Sequence, residues 1–202
     1  WSLSINNNGN IIAIGAYNND GNGTNSGHVR IYKNISGLWT QLGSDIDGDI
    51  SYDMFGNSIS LNSFGNIIAI GAPQLSSGEG YAKIYEYIGS SWNQIGQKII
   101  GDNFAEYCGG SVSLNSNGNI VAVGSPQSSN PPSFYIGHAR VFKNIGANWN
   151  QIGSNINGES DGDLFGFPVA LSSDGNILAT SAFYNDDNGS NSGKTRIYNL
   201  DS

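Results

Sequence analysis

The chain has 202 residues, a formal net charge of −8, 38% apolar residues and only 12% charged ones. An acidic chain argues against a nucleic-acid partner, which requires a basic surface to neutralise phosphates, and against an anionic membrane surface for the same reason. No apolar run approaches the roughly 20 residues that span a bilayer, so no membrane insertion is expected, and regularly placed Ile, Leu, Val and Trp argue against disorder.

In chain order, the segment from Ser2 to Ile5 alternates small and apolar residues as a half-buried strand does. The dipeptide Asn8-Gly9 then predicts a tight type I′ hairpin, in which both central residues need positive φ. An apolar strand follows over 11–14, and a β-branched and aromatic strand with a basic residue over 29–32. A fourth opens at Trp39 in a Trp-x-Gln-x-Gly element that ends at Gly43. Phe55-Gly56 starts the next round: strands over 59–61, 67–70 and 82–85, then Trp92 to Gly96, with Phe64-Gly65 as the turn. Cys108-Gly109 starts a third, with strands over 112–114, 120–123 and 139–142, the turn Asn117-Gly118, and Trp149 to Gly153. Phe165-Gly166 starts a fourth, with strands over 169–171, 177–179 and 195–198 and the turn Asp174-Gly175, but no Trp element after Tyr198.

The turn glycines Gly9, Gly65, Gly118 and Gly175 stand 56, 53 and 57 residues apart, a spacing of propeller blades. The predicted fold is all-β: a β-propeller of four-stranded antiparallel blades in about four repeats, the last blade incomplete. A β-solenoid would need shorter coils and parallel strands, against which the hairpins argue. The chain reads as a single propeller domain or propeller fragment, 1–202, with blades at approximately 1–43, 56–96, 109–153 and 166–202. Either a compact ring with one short blade or a piece of a larger array fits this count.

The stretch Asp53-Met54-Phe55-Gly56, followed by Gly71-Ala72-Pro73 and then Gly80-Tyr81-Ala82-Lys83-Ile84-Tyr85, resembles an FG-GAP repeat, the blade motif of integrin α-subunit propellers and of many secreted bacterial proteins. Gly27 to Lys33 with Trp39 to Gly43 is especially similar to the bacterial secreted type, and the resemblance covers nearly all of the chain. It implies an extracellular or surface-exposed module for adhesion, scaffolding or protein–protein interaction. The Asp-x-Asp-x-Asp-Gly calcium loop of integrin-type blades is missing between the first two strands, so the resemblance brings no calcium with it.

Seven of the eight cations lie on or beside the third strand of a unit, among them Arg30, Lys83, Arg140 and Arg196, while Asp53, Glu106 and Asp163 recur near Phe-Gly. A repeated acid with a repeated base predicts one ion pair per blade or blade junction. Asp45, Asp47, Asp49 and Asp53 are the best calcium candidate, although Gly48 is misplaced for an EF-hand and a solvated loop face is the preferred reading. Trp39, Trp92 and Trp149 are expected to pack against neighbouring blades with each indole N–H on a fixed acceptor, rather than to stack on sugars. His28 and His138 hold equivalent positions, which argues against a unique catalytic histidine. No nucleophile, base and orienter stand out, so no catalytic residue, enzyme activity or cofactor is expected. Cys108 reads as a small buried hydrophobe. Asn22, Asn34 and Asn188 match the glycosylation sequon. The expected partner is a protein or glycan at a surface, with a lectin-like propeller as the alternative function. The blade that lacks a Trp strand leaves an open edge through which chains could self-associate.

Overall fold

The computed structural model describes residues 1–74, 78–128 and 135–200; residues 201–202, the last of the fourth predicted unit, lie outside it. Among the described residues there is no helix, and the strands form four successive antiparallel sheets. The first contains β1 (Ser2–Ile5), β2 (Ile11–Ala16), β3 (His28–Ile35) and β4 (Leu38–Gln41), with β5 (Ile46–Asp47) also on β3. The second repeats this as β6 (Ser58–Leu61), β7 (Ile67–Ala72), β8 (Tyr81–Ile88), β9 (Ser91–Gln94) and β10 (Ile99–Ile100). The third has β11 (Ser111–Leu114), β12 (Ile120–Ser125), β13 (His138–Ile145) and β14 (Asn148–Asn157), and the fourth β15 (Phe165–Leu171), β16 (Ile177–Ala182) and β17 (Lys194–Asn199). These are the predicted blades, and the last has three strands among the described residues.

Alternation along each strand gives every blade two faces. The near face of blade 2, turned to blade 1, carries Ile59, Leu61, Ile70 and Tyr85; the far face of blade 1 meets it with Ile11, Ala13, Val29 and Ile31. The same packing recurs between blades 2 and 3 and between blades 3 and 4, so each of the three hydrophobic cores lies at one junction. The innermost strands β1, β6, β11 and β15 lie side by side in chain order. Their ends are laced by backbone hydrogen bonds, Asn7 N to Ser63 O at 3.2 Å, Ser63 N to Ser116 O at 3.1 Å and Ser116 N to Ser173 O at 2.9 Å.

Two sequence expectations need correction. The hairpin after the first strand is not type I′: Gly9 N donates to Asn6 O at 3.0 Å, and only Gly9, not Asn8, is left-handed, with φ 69°. That is the arrangement of a type I turn closed by a left-handed glycine, and it explains why Phe64 is tolerated before Gly65. The turn is locked instead by Asn6, whose Oδ1 accepts Asn10 N and Ile11 N at 3.0 and 2.9 Å. Asn62 and Asn115 do the same in their blades. The second correction concerns blade ends. Each of the first three blades runs past the glycine at 43, 96 or 153: the left-handed glycine bends the chain, which then returns to the third strand at Ile46, Ile99 or Ile156.

Candidate functional site

The ionisable groups gather at the blade junctions, on the loop that leads from one blade to the next. Asp53, Glu106 and Asp163 are buried there, but they do not pair with the third-strand bases as the repeat suggested. Asp53 Oδ2 accepts Asp49 N at 2.7 Å, Ile50 N at 3.0 Å and the Tyr81 hydroxyl at 2.8 Å, and its Oδ1 accepts Gln74 Nε2 at 2.6 Å. Glu106 Oε2 accepts Asp102 N at 2.7 Å and Asn103 N at 2.8 Å, while its Oε1 lies 2.9 Å from His138 Nε2. Asp163 accepts Ser160 N and Asn185 Nδ2. These carboxylates close their own loops by holding backbone N–H groups.

The bases meet a different acid, four residues earlier. Lys83 Nζ lies 2.6 Å from Asp49, Arg140 Nη1 3.0 Å from Asp102, and Arg196 pairs with Glu159. At least one ion pair therefore crosses each junction, with Lys98 also on Asp49 and Lys194 also on Glu159. The sequence signal was the repeated Gly48-Asp49, Gly101-Asp102 and Gly158-Glu159, where a Cβ on the glycine would stand 2.1 to 2.5 Å from a backbone carbonyl. Blade 1 has no such partner for Arg30, which forks onto Asp45 of its own blade at 2.8 to 3.0 Å.

Electrostatics follow from these contacts. Burial works to raise the Glu106 carboxyl, but the hydrogen bond and charge of His138 and the Asn103 N–H hold it below its ordinary value. At Asp49 burial likewise works to raise the carboxyl, and the hydrogen bonds and charges of Lys83 and Lys98 together overcome it and hold the group below its ordinary value. Burial pushes the Cys108 thiol up to about 11, which keeps it protonated and unreactive.

The four candidate calcium ligands do not converge. Asp45 is held by Arg30 and Gln41, Asp49 by Lys83 and Lys98, and Asp53 by four donors. Asp47 is exposed on β5. Two smaller groups bring possible ligand atoms together, His28 with Asp45 and Asp47, and Asp102 with Glu106 and His138. In both, an arginine already occupies one carboxylate, Arg30 on Asp45 and Arg140 on Asp102, and its positive charge opposes a cation there. The tryptophans behave as expected in two blades: Trp92 Nε1 donates to Leu42 O at 2.8 Å and Trp149 Nε1 to Ile95 O at 2.9 Å, each across a junction. Trp39 is half exposed, and its indole N–H has no such acceptor among the described residues. Beside the second junction a cavity of about 440 Å³ is lined by Asp102, Asn103, Ser128, His138, Asn155 and Asn157.

Residues 157–198, which end the third blade and make up most of the fourth, match the FG-GAP repeat. The chain carries an FG-GAP repeat. Blades 2 and 3 show the same order of Phe-Gly or Cys-Gly, hairpin glycine and third strand, and the architecture is that of a β-propeller. No curated protein matches the chain by sequence. Solved structures similar to it are propellers: TolB from Acinetobacter baumannii (TM-score 0.56, 10% identity), a putative 6-phosphogluconolactonase from Bacteroides uniformis (0.58, 11%) and the C-terminal WD40 domain of Sif2 (0.55, 12%). The alignments cover 99% of this chain in each case but only 41%, 55% and 45% of those chains, so the chain spans about half the length of the structures it matches. At such identity the likeness establishes the fold alone.

Proposed function

We propose that this chain is a non-catalytic, extracellular or surface-exposed propeller module that serves adhesion, scaffolding or protein–protein interaction. The propeller fold supports a protein-interaction scaffold, and FG-GAP repeats typically occur in extracellular or surface proteins. The observation that carries the reading is how the ionisable side chains are used. The buried carboxylates hold loops, the third-strand bases hold junctions, and the one thiol is buried and protonated. Little remains to act as a nucleophile and base. The test is attachment of cells to surfaces coated with the chain, run beside a panel of hydrolase substrates. Saturable attachment without turnover is expected. Turnover that disappears in His138→Ala would replace the reading with an enzymatic one.

A lectin-like role is favoured by one feature, the polar cavity beside Asp102, where carboxylate and amide groups suit sugar hydroxyls. A glycan array tests it, with Asn155→Ala expected to abolish any signal that comes from this cavity. Self-association belongs to the same interaction role, since the outer edge of β17 has no strand paired to it among the described residues. Light scattering across a concentration series would show it as a rising mass.

A further inference from the structure

The three internal junctions use the same acid position but not the same number of cations. At the first, Asp49 takes two: Lys83 Nζ lies 2.6 Å from its Oδ1 and Lys98 Nζ 2.6 Å from its Oδ2. At the third, Glu159 also takes two, Arg196 and Lys194, the Lys194 Nζ lying 2.7 Å away. At the second, Asp102 takes one among the described residues. Arg140 Nη1 lies 3.0 Å from its Oδ1, and its Oδ2 has the Asn155 side-chain amide at 3.5 Å.

The second cation comes from one of two places in a blade. Lys98 stands just before Ile99, which pairs with Ala82 of the third strand, and Lys194 is the first residue of its own third strand. In blade 3 the pairing of Ile156 with Ala139 puts Asn155 at the place of Lys98, and His138 is the first residue of β13. Asn155 carries no charge, and His138 is engaged by Glu106 at 2.9 Å. Both side chains are shorter than the lysines they replace, and beside them lies the cavity of about 440 Å³. In blade 2 the His138 place belongs to Tyr81, and the Lys98 ammonium sits 4.6 Å from the centre of its ring.

No cation of this chain is left to supply the missing charge. The chain has eight Lys and Arg residues. Lys83, Lys98, Arg140, Lys194 and Arg196 are already at the junctions, and Arg30 is on Asp45 of blade 1. Lys33 belongs to β3 of blade 1. Lys143 stands five residues along β13 from His138, roughly 16 Å at the rise of a strand and beyond the reach of its side chain.

We propose that the cavity beside Asp102 binds an alkylammonium group from outside the chain, carried by a lysine side chain or by a free primary amine. An ammonium donates in several directions and accepts nothing. Asp102, Asn157 and Ser128 line the cavity with oxygen acceptors, and Ile136 offers an apolar wall to a methylene stem. The arginine that opposes a metal ion on this acid does not bar a single charge, since Asp49 holds Lys98 with Lys83 equally near. The cavity is the one that suits sugar hydroxyls, but the group selected here is a charge, and the site does not depend on an adhesive role for the chain.

The experiment titrates the full chain with n-butylammonium, with a blocked Gly-Lys-Gly peptide and with n-butanol, near neutral pH and at constant ionic strength. The side-chain amide NMR signals of Asn155 and Asn157 report binding. Saturable shifts with both ammonium probes and none with butanol are expected. Asp102→Asn should weaken binding about tenfold, the loss of one charge-assisted hydrogen bond. Because that change also deprives Arg140 of its partner, Asn155→Lys provides an independent arm by writing the Lys98 of blade 2 into blade 3. It should fill the cavity from within, abolish the shift at Asn157 and raise the melting temperature by about 1–3 °C. Tighter binding of the peptide than of butylammonium assigns the group to a partner's lysine, equal binding assigns it to a free amine, and either upholds the site. An Asn157 shift that persists in Asn155→Lys would mean diffuse attraction to an acidic chain and would overturn the proposal, as would equal shifts with butanol. So would an Asn155→Lys chain that melts lower than the wild type, since the space would then not hold an ammonium. A neutral sugar that binds where the ammonium probes do not would replace the proposal with the lectin-like reading.

Discussion

Ile84 and Ile197 hold the same place in the third strands of blades 2 and 4, within the similar runs Lys83-Ile84-Tyr85 and Arg196-Ile197-Tyr198, yet Ile84 is fully buried and Ile197 is 73% exposed. Local sequence makes both into strand residues of the same register. Only the neighbouring blade makes one of them a core residue. The internal junctions and the end faces are thus a natural experiment in which the repeat is constant and the partner varies. Burial, hydrogen bonding and ion pairing across a junction are gained together, as Ile84, Trp92 and Lys83 illustrate in blade 2, whereas at an end Leu3 is exposed, Trp39 finds no acceptor among the described residues and Arg30 pairs only within its own blade, with Asp45.

The largest loss of stability is expected on removing a junction carboxylate. Glu106→Ala strips two loop N–H groups and His138 of their acceptor, and a loss of about 3–5 kcal/mol in unfolding free energy is expected by denaturant titration. Asp45→Ala, which touches only the end-face arginine and its surroundings, should be nearly silent. Because Glu106 is held below its ordinary value of 4.5 in the folded chain, its contribution is present above that value and is lost as the pH falls through the lower folded value. The wild-type chain should therefore lose stability in acid more steeply than Glu106→Gln does, and parallel acid titrations of the two would contradict this account.

Next in size is the aliphatic pair. Ile84→Ala should cost about 2–5 kcal/mol by creating a cavity, whereas Ile197→Ala should stay within about 0.5 kcal/mol as a surface change does. Equal effects in thermal melts would mean that the far face of blade 4 is covered in solution. Gly71→Ser writes the blade 4 residue into an internal junction, where its Cβ would meet Gly109 O at 2.0 Å. A cost of about 1–3 kcal/mol or more is expected from overpacking, visible as a lower melting temperature. The smallest effect separates the tryptophans: Trp149→Phe removes a junction hydrogen bond worth about 1 kcal/mol, and Trp39→Phe removes none. A chain as sensitive at Trp39 as at Trp149 would require an acceptor on blade 1 that its near face lacks.

Much of this was legible in the residues because it is local. The hairpin glycines, the alternation of β1 and the Trp-x-Gln-x-Gly strands predict the blades, their antiparallel order and the three-stranded last sheet. Where local rules failed, they did so for physical reasons. The dipeptide Asn8-Gly9 suits two turn types, and the choice was made by Asn6, whose amide holds Asn10 N and Ile11 N. The repeat of Asp53, Glu106 and Asp163 marked real junction acids, but a periodic carboxylate does not state whether it faces a base or the backbone of its own loop.

By itself, then, the sequence determined the strands, their antiparallel order and the blade period, because φ and alternation act within a few residues. The tertiary structure alone decided which acid meets which base, that Asp45, Asp47, Asp49 and Asp53 are divided among separate partners, and which copy of a repeated face is covered. Those outcomes depend on groups about 35–55 residues apart in sequence brought together by blade packing, such as Lys83 with Asp49 and Trp149 with Ile95. A one-dimensional repeat has no term for the neighbour that supplies the other half of each contact.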